Sequence, residues 1–150
     1  MSGELQQLYQ QIILDHSKSR HGEGLREAAE GMVAGQSHQY NPTCGDEITL
    51  RVARSGDTIT AVSWEGDGCS ISMAAASVLT EMVGEGLSQT ELLGLIDSFR
   101  EVLRSRGTVE ADEEVLGDAA AFSGVSRYPA RVKCAMLAWV AAEEAMLASR

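Results

Sequence analysis

The hydrophobic period of this sequence changes near position 69, and that change limits the chain to a small sheet followed by packed helices. Ile48, Leu50 and Val52 alternate with polar neighbours, as expected for a half-buried strand. A turn at 55–57 and a β-rich run over 58–64 complete a predicted antiparallel hairpin. Beyond this point the apolar residues recur at helical rather than alternating spacing.

Two predicted helices flank the hairpin. The first ends before the polar run 16–24, and the second follows Cys69 and closes at Gly84. Their predicted buried residues are Leu5, Leu8, Tyr9, Ile12 and Ile13 in the first helix and Ile71, Ala75, Val78, Leu79 and Met82 in the second. Both helices therefore have an apolar face to pack against the rest of the protein.

Two further helices complete the predicted fold. A capping-box pattern at 88–91 begins the third helix, which ends at Gly107. The segment 108–128 is predicted to be a loop that contains a small helix, and Pro129 begins a final helix that runs to the C-terminus. The order of elements predicts a single α+β domain over residues 1–150, with a small antiparallel sheet of about three strands and helices packed on one of its faces.

Charge and the N-terminal sequence argue against several classes of function. The chain carries 12 basic and 22 acidic side chains and a formal net charge of -10, which disfavours binding to the phosphates of nucleic acid. The N-terminus lacks the pattern of a secretory signal, and no stretch supplies the ~20 apolar residues that cross a membrane. We therefore expect a cytoplasmic protein whose three cysteines stay reduced and free for metal binding or chemistry.

Three cysteines and one aspartate are candidate metal ligands. Cys44 and Asp46 come at the entry to the hairpin and Cys69 at its exit, so the hairpin brings them close, while Cys134 lies in the final helix. Three thiolates and one carboxylate satisfy the preference of zinc for four tetrahedral ligands that include sulfur. Scattered cysteines are also common in buried cores, so this pattern by itself leaves a purely structural role open.

Cys69 and Cys134 lie near predicted helix starts, where the backbone N–H groups and the helix dipole stabilise thiolates. Arg131 and Lys133 lie within one turn of Cys134 and are candidates to offset the negative charge of the site. These two cysteines are therefore expected to hold their positions on a metal.

Cys44 and Asp46 lie in a loop in which Gly45 permits rearrangement of the backbone. Asp46 is the hard ligand among soft thiolates and is expected to be the most easily displaced. A cysteine that leaves the metal becomes a thiolate able to attack the outer sulfur of a persulfide.

The three histidines are alternative ligands. His16, His21 and His38 lie in polar segments that contain glycine, and this setting favours solvated loop positions over coordination.

Four motifs extend over nearly the whole chain: Leu8-Tyr9 with Ile13-Leu14-Asp15-His16, Asn41-Pro42-Thr43-Cys44-Gly45-Asp46, Gly66-Asp67-Gly68-Cys69-Ser70-Ile71-Ser72, and Tyr128-Pro129-Ala130-Arg131-Val132-Lys133-Cys134-Ala135. Together they resemble the SufU branch of the IscU-like iron–sulfur cluster assembly proteins. Lys133 stands where IscU scaffolds have a histidine, and the segment 107–128 is longer than in those scaffolds, as in SufU proteins. The run 17–21 departs from the family pattern, so the resemblance is weakest in the N-terminal loop.

The resemblance implies a zinc-dependent sulfurtransferase, a sulfur acceptor and carrier. It implies that Cys44, Asp46, Cys69 and Cys134 hold one zinc ion, and that Cys44 accepts sulfur from the persulfide of a SufS-type cysteine desulfurase. It further implies that a desulfurase histidine takes the place of Cys44 on zinc during transfer, and that the sulfur passes to a SufB-containing assembly complex.

Two other functions are compatible with the same residues. One is a scaffold on which a [2Fe–2S] cluster is built, because three cysteines and an aspartate are also plausible iron ligands. The other is an adaptor that activates a desulfurase and binds zinc only for structure. The colour and metal content of the purified protein would separate a scaffold from a zinc protein.

Overall fold

The computed structural model describes residues 3–84 and 86–149. Its elements are α1 (Gly3–Ser19), β1 (Val33–Asn41), β2 (Asp46–Ser55), β3 (Thr58–Asp67), α2 (Ser70–Val83), β4 (Leu87–Ser88), α3 (Gln89–Arg104), α4 (Glu113–Leu116), a 3₁₀ helix (Gly117–Arg127) and α5 (Pro129–Ala148). The predicted α+β class is confirmed.

Four antiparallel strands form the sheet in the order β1-β2-β3-β4, rather than the predicted three or so. Ile48, Leu50 and Val52 of β2 are buried, as their alternation predicts. At one end of the sheet Asn41 pairs with Asp46 and Glu47 pairs with Asp67. This register brings the β1–β2 turn beside the end of β3.

The strand β1 has no apolar alternation, and for that reason the sequence pattern does not reveal it. Its buried positions are Gly35, Ser37 and Asn41. The helix α5 packs directly on this strand, and a Cβ atom at Gly35 would lie 1.9 Å from the Ala145 carbonyl oxygen. Only small side chains fit under a helix that lies so close.

Helices α2 and α5 pack on the sheet, and α1 packs on α2. The capping box predicted at 88–91 is present, with Ser88 Oγ accepting from the Glu91 N–H at 3.0 Å. The helix α3 ends at Arg104, three residues before the predicted end at Gly107. No helix of the described residues is long and apolar enough to cross a bilayer.

Two expectations about α1 are wrong. The helix continues through His16 to Ser19 instead of stopping at the polar run, because the His16 ring is buried and hydrogen-bonded by Ser77 and Asp118. Leu8, expected on the buried face, is 56% exposed.

The segment 108–128 contributes to the core more than a loop would. Its 3₁₀ helix buries Ala119, Ala120, Ala121 and Phe122. Phe122 packs edge-on against Phe99, which in turn stacks on Trp139 at a centroid distance of 3.9 Å. The segment therefore helps to hold α5, the helix that carries Cys134, in place.

Candidate metal centre

The four predicted ligands come from three places that meet at one end of the sheet. Cys44 lies in the β1–β2 turn, and Asp46 is the first residue of β2. Cys69 is the N-cap of α2, directly after β3, and Cys134 lies on α5. The Cys44 and Cys134 Sγ atoms are 3.4 Å apart, and Cys69 Sγ is 3.5 Å from Asp46 Oδ2.

These two distances are slightly shorter than the corresponding edges of a zinc tetrahedron. With Zn–S near 2.3 Å, two sulfur ligands lie about 3.8 Å apart, and a sulfur and a carboxylate oxygen lie about 3.6 Å apart. The donor atoms of Cys44, Asp46 and Cys134 all lie within 4.8 Å of one another, whereas Cys69 is outside this group and contacts it through Asp46. The chain thus brings all four residues together in a donor set that suits zinc, while their role as ligands remains a prediction.

Asp46 is held more tightly than the sequence suggests. It is 2% exposed, and its carboxylate accepts hydrogen bonds from the Cys69 N–H at 3.0 Å and from the Ser72 hydroxyl. Burial raises the pKa of Asp46, but the hydrogen bonds from Ser72, Cys44 and Cys69 outweigh it and lower the pKa to about 2. Asp46 is therefore an anion across the physiological range and is fixed in place.

Ser72 is a contributor that the sequence analysis did not assign to the site. Its hydroxyl contacts Asp46 and the Cys134 carbonyl oxygen, the latter at 3.2 Å, and it lies 3.6 Å from Cys69 Sγ. The available signal was its spacing, because a residue three positions after Cys69 lies on the same helix face. Ser72 links the ligand-bearing segments of β2, α2 and α5.

Cys134 is not at the start of its helix, contrary to the expectation from Pro129. It is the sixth residue of α5, and its thiol lies 3.6 Å from the Ala130 carbonyl oxygen instead of near free N–H groups. Burial raises the pKa of the Cys134 thiol far above its usual range, and Asp46 and Cys44 raise it further. Without a cation this thiol keeps its proton at neutral pH.

Cys44 is the exposed member of the set, whereas Cys69 is half-buried and Cys134 is buried. The turn that contains Cys44 is closed by a hydrogen bond from the Gly45 N–H to the Asn41 carbonyl oxygen at 2.8 Å. Gly45 adopts a positive φ of 79°. In the part of the chain that the structure describes, the buried Asn41 Nδ2 has no hydrogen-bond partner. Exposure favours Cys44 rather than Asp46 as the candidate ligand that can leave the metal.

The cations and histidines considered in the sequence analysis differ in burial and in their partners. Arg131 and Lys133 are exposed, and neither joins an ion pair within residues 3–84 and 86–149. His38 is solvated but lies on a strand, where it pairs with Glu47 at 2.5 Å. His16 is buried on α1, so its interpretation as a solvated loop residue is wrong.

Gly68 offers a way to disturb the candidate site through Asp46. A Cβ atom at this position would lie 2.6 Å from Asp46 Oδ1, the end of a side chain rather than backbone. We expect Gly68→Ala to push the carboxylate aside and to weaken zinc binding by about tenfold or more. A chelator competition titration measures this effect. Gly94→Ala is the matched control, because a Cβ there meets nothing within 4 Å; equal zinc affinity in both variants would contradict the role assigned to Asp46.

Comparison with protein families gives one match. The model of the NifU-like N-terminal domain matches residues 8–135, which contain all four candidate ligands.

Comparison with characterised proteins and solved structures gives relatives that match over nearly their whole length. The chain is 38% identical to the zinc-dependent sulfurtransferase SufU of Bacillus subtilis, covering 95% of this chain and 92% of that protein. It is also 38% identical to the iron–sulfur cluster assembly scaffold protein IscU of Streptococcus pyogenes, covering 95% and 85%. A crystal structure described as an iron–sulfur cluster assembly scaffold protein for the SUF system, from Fervidobacterium islandicum, superposes with a TM-score of 0.72 at 36% identity over 90% of this chain and 93% of that one.

Proposed function

The chain belongs to the family of NifU-like N-terminal domains, and from this premise we propose that it serves iron–sulfur cluster assembly as a zinc-dependent sulfur acceptor. The donor of the sulfur is the persulfide of a cysteine desulfurase. The observation that carries this proposal is an exposed thiol, Cys44, lying 3.4 Å from the buried thiol of Cys134 in a donor set that suits zinc.

Cys44, Asp46, Cys69 and Cys134 are the residues that would hold the zinc ion. Bound there, zinc supplies a positive charge that keeps thiolates deprotonated at neutral pH. The protein holds the ligands in position. The Cys69 N–H and the Ser72 hydroxyl orient Asp46, and the packing of α5 fixes Cys134. Cys44, on its exposed turn, is left as the thiol that a partner can reach.

The proposed chemistry is a thiolate–persulfide exchange at Cys44. The Cys44 thiolate attacks the outer sulfur of the partner's persulfide and forms a new S–S bond, while the partner's own S–S bond breaks. The leaving group is the partner's cysteine thiolate, which keeps the electron pair of the broken bond. Cys44 then carries the transferred sulfur as a persulfide, and no external oxidant or reductant is consumed.

The proposed partners are those that the resemblance to SufU-type proteins implies. A SufS-type cysteine desulfurase would supply the sulfur and be activated by its removal, and a SufB-containing assembly complex would receive it. Both steps need thiols that stay reduced, which is the condition of the cytoplasm. The B. subtilis relative is named as a zinc-dependent sulfurtransferase, and this name supports the same assignment.

The second candidate function is a scaffold that holds a [2Fe–2S] cluster. It is favoured by the S. pyogenes relative, which is named as a scaffold and is as similar to this chain as the B. subtilis sulfurtransferase is. Three cysteines and an aspartate are able to ligate iron as well as zinc.

Metal and sulfur analysis of the purified chain tests the proposal. We expect a colourless protein with one zinc at the cysteine centre and negligible iron. After incubation with a cysteine desulfurase and free cysteine, we expect one additional sulfur atom per chain. A red-brown protein that contains iron and labile sulfide would instead support the scaffold function. Zinc-loaded protein that never gains sulfur would overturn the acceptor role.

A further inference from the structure

A second group of metal-binding side chains lies away from the cysteine centre. The group consists of His16 on α1, His21 just beyond α1, Glu81 on α2 and Asp118 on the 3₁₀ helix. Donor atoms of His16, His21 and Glu81 all lie within 4.8 Å of one another. Asp118 Oδ2 lies 3.0 Å from His16 Nε2, and Glu81 Oε2 lies 3.0 Å from His21 Nε2.

We propose that these four residues form a second metal site, which binds a divalent transition-metal ion of the zinc or nickel type. Imidazole nitrogens and carboxylate oxygens are accepted ligands of these ions. Nitrogen and oxygen ligands of a tetrahedral zinc lie about 3.3 Å apart, close to the two distances of 3.0 Å between ring nitrogen and carboxylate oxygen. The inference goes beyond the sulfur-acceptor function and does not depend on it.

The surroundings of His16 are those of an oriented metal ligand. The Ser77 hydroxyl lies 2.8 Å from His16 Nδ1 and accepts a hydrogen bond from the His21 backbone N–H at 3.0 Å. Ser77 thereby occupies one ring nitrogen and leaves Nε2 facing Asp118. A hydrogen bond to the second nitrogen is the usual device that fixes the orientation of a ligating histidine. A metal ion at Nε2 would take the place of the contact between His16 and Asp118.

Charge and space also fit an ion. The two carboxylates carry two negative charges in total, which one divalent cation neutralises. A cavity of about 190 Å³ opens beside the group and is lined by His16, Glu81 and Asp118 together with Val78 and Met82. His21 and Glu81 are half-exposed, so an ion can enter from solvent. His16, His21 and Glu81 therefore converge on one accessible point, and Asp118 borders it through its contact with His16.

The pair formed by His38 and Glu47 shows what an ordinary histidine–carboxylate contact looks like in this protein. Its ring nitrogen and carboxylate oxygen are 2.5 Å apart on the exposed face of the sheet. Among the described residues it does not belong to a group of three donors. It is a matched control, since it has the same chemistry without convergence.

The test uses the full chain with its cysteine centre first loaded with one equivalent of zinc. Equilibrium dialysis against Ni²⁺ is expected to add one nickel ion per chain. His21→Asn and Glu81→Gln are expected to weaken nickel binding by about tenfold or more, and His38→Asn is expected to leave it unchanged. Both ligand variants alter half-exposed side chains, so the fold should persist, and circular dichroism checks this.

Nuclear magnetic resonance supplies a readout that is independent of affinity. Paramagnetic Ni²⁺ at the site should broaden the ring signals of His16 and His21 first and leave those of His38 sharp. The proposal is overturned if zinc-loaded protein takes up no nickel, if the two ligand variants bind it as tightly as the parent chain does, or if all three rings broaden together.

Discussion

Replacing Cys44 with alanine is expected to reduce sulfur acceptance by about a thousandfold or more, because it removes the nucleophile itself. Of the three thiols, Cys44 alone is exposed, while Cys69 is half-buried and Cys134 is buried. The Cys44 turn ends in Gly45, which adopts a positive φ that glycine tolerates without strain. A partner's persulfide can therefore reach this thiol without unfolding α2 or α5.

The location of the added sulfur measures this directly. After incubation with a desulfurase and cysteine under non-reducing conditions, mass spectrometry should find one extra sulfur atom on the peptide that contains Cys44. Thr43→Ala is the matched control, since it alters the same exposed turn and leaves the thiol in place. Persistent labelling of Cys69 or Cys134 in a Cys44→Ala protein with normal turnover would refute the assignment. Serine variants of those two residues are poor tests, because each would dismantle the metal centre.

Cys44→Asp separates sulfur transfer from simple activation of a desulfurase. The aspartate can occupy the ligand position of Cys44 without being able to carry sulfur. If zinc content and desulfurase activation both survive this change, the protein is an adaptor with a structural metal. We expect zinc to be retained and sulfur transfer to be lost.

The parts of the fold that local pattern encodes were predictable. The hairpin of β2 and β3, the capping box at Ser88 and the start of α5 at Pro129 each depend on residues close in sequence, and all three are present. The strand β1 was not predictable in the same way. Its inward positions are small because α5 lies against Gly35, and the identity of a distant packing partner cannot be read from local alternation.

The candidate metal centre also has a part that was predictable from the sequence and a part that was not. The hairpin register brings Cys44, Asp46 and Cys69 together, so their proximity follows from sequence. The burial of Asp46 and the environment of Cys134 depend on how α2 and α5 pack, which no local pattern encodes. His16 is the extreme case, because its partners Ser77 and Asp118 lie 61 and 102 residues away in sequence. A helix end that looks polar and solvated is in fact held by buried hydrogen bonds.

Removing zinc from the cysteine centre is expected to lower the melting temperature by about 10 °C or more, since a metal bound only by the folded chain contributes several kcal/mol to its stability. Without the cation, the buried Cys134 thiol keeps its proton because burial and Asp46 raise its pKa. Binding zinc must therefore release protons from thiols. Differential scanning calorimetry of the chain before and after chelation measures the difference.

The difference in melting temperature between zinc-loaded and zinc-free protein is expected to depend on pH. Protons compete with zinc for the Cys134 thiol, whose pKa is raised by burial, so the stabilisation by zinc should shrink as the pH falls from about 8 to about 6. Asp46 does not contribute to that slope, because its pKa of about 2 keeps it ionised throughout. Its own contribution to the metal-free fold is present above the ordinary pKa of 3.8 and is lost only as the pH falls toward 2.

One equivalent of zinc should restore the melting temperature, whereas Mg²⁺, which prefers oxygen ligands, should not. Equal melting temperatures for chelated and zinc-loaded protein at about pH 8, where the stabilisation is expected to be largest, would show that the four side chains do not hold a stabilising metal.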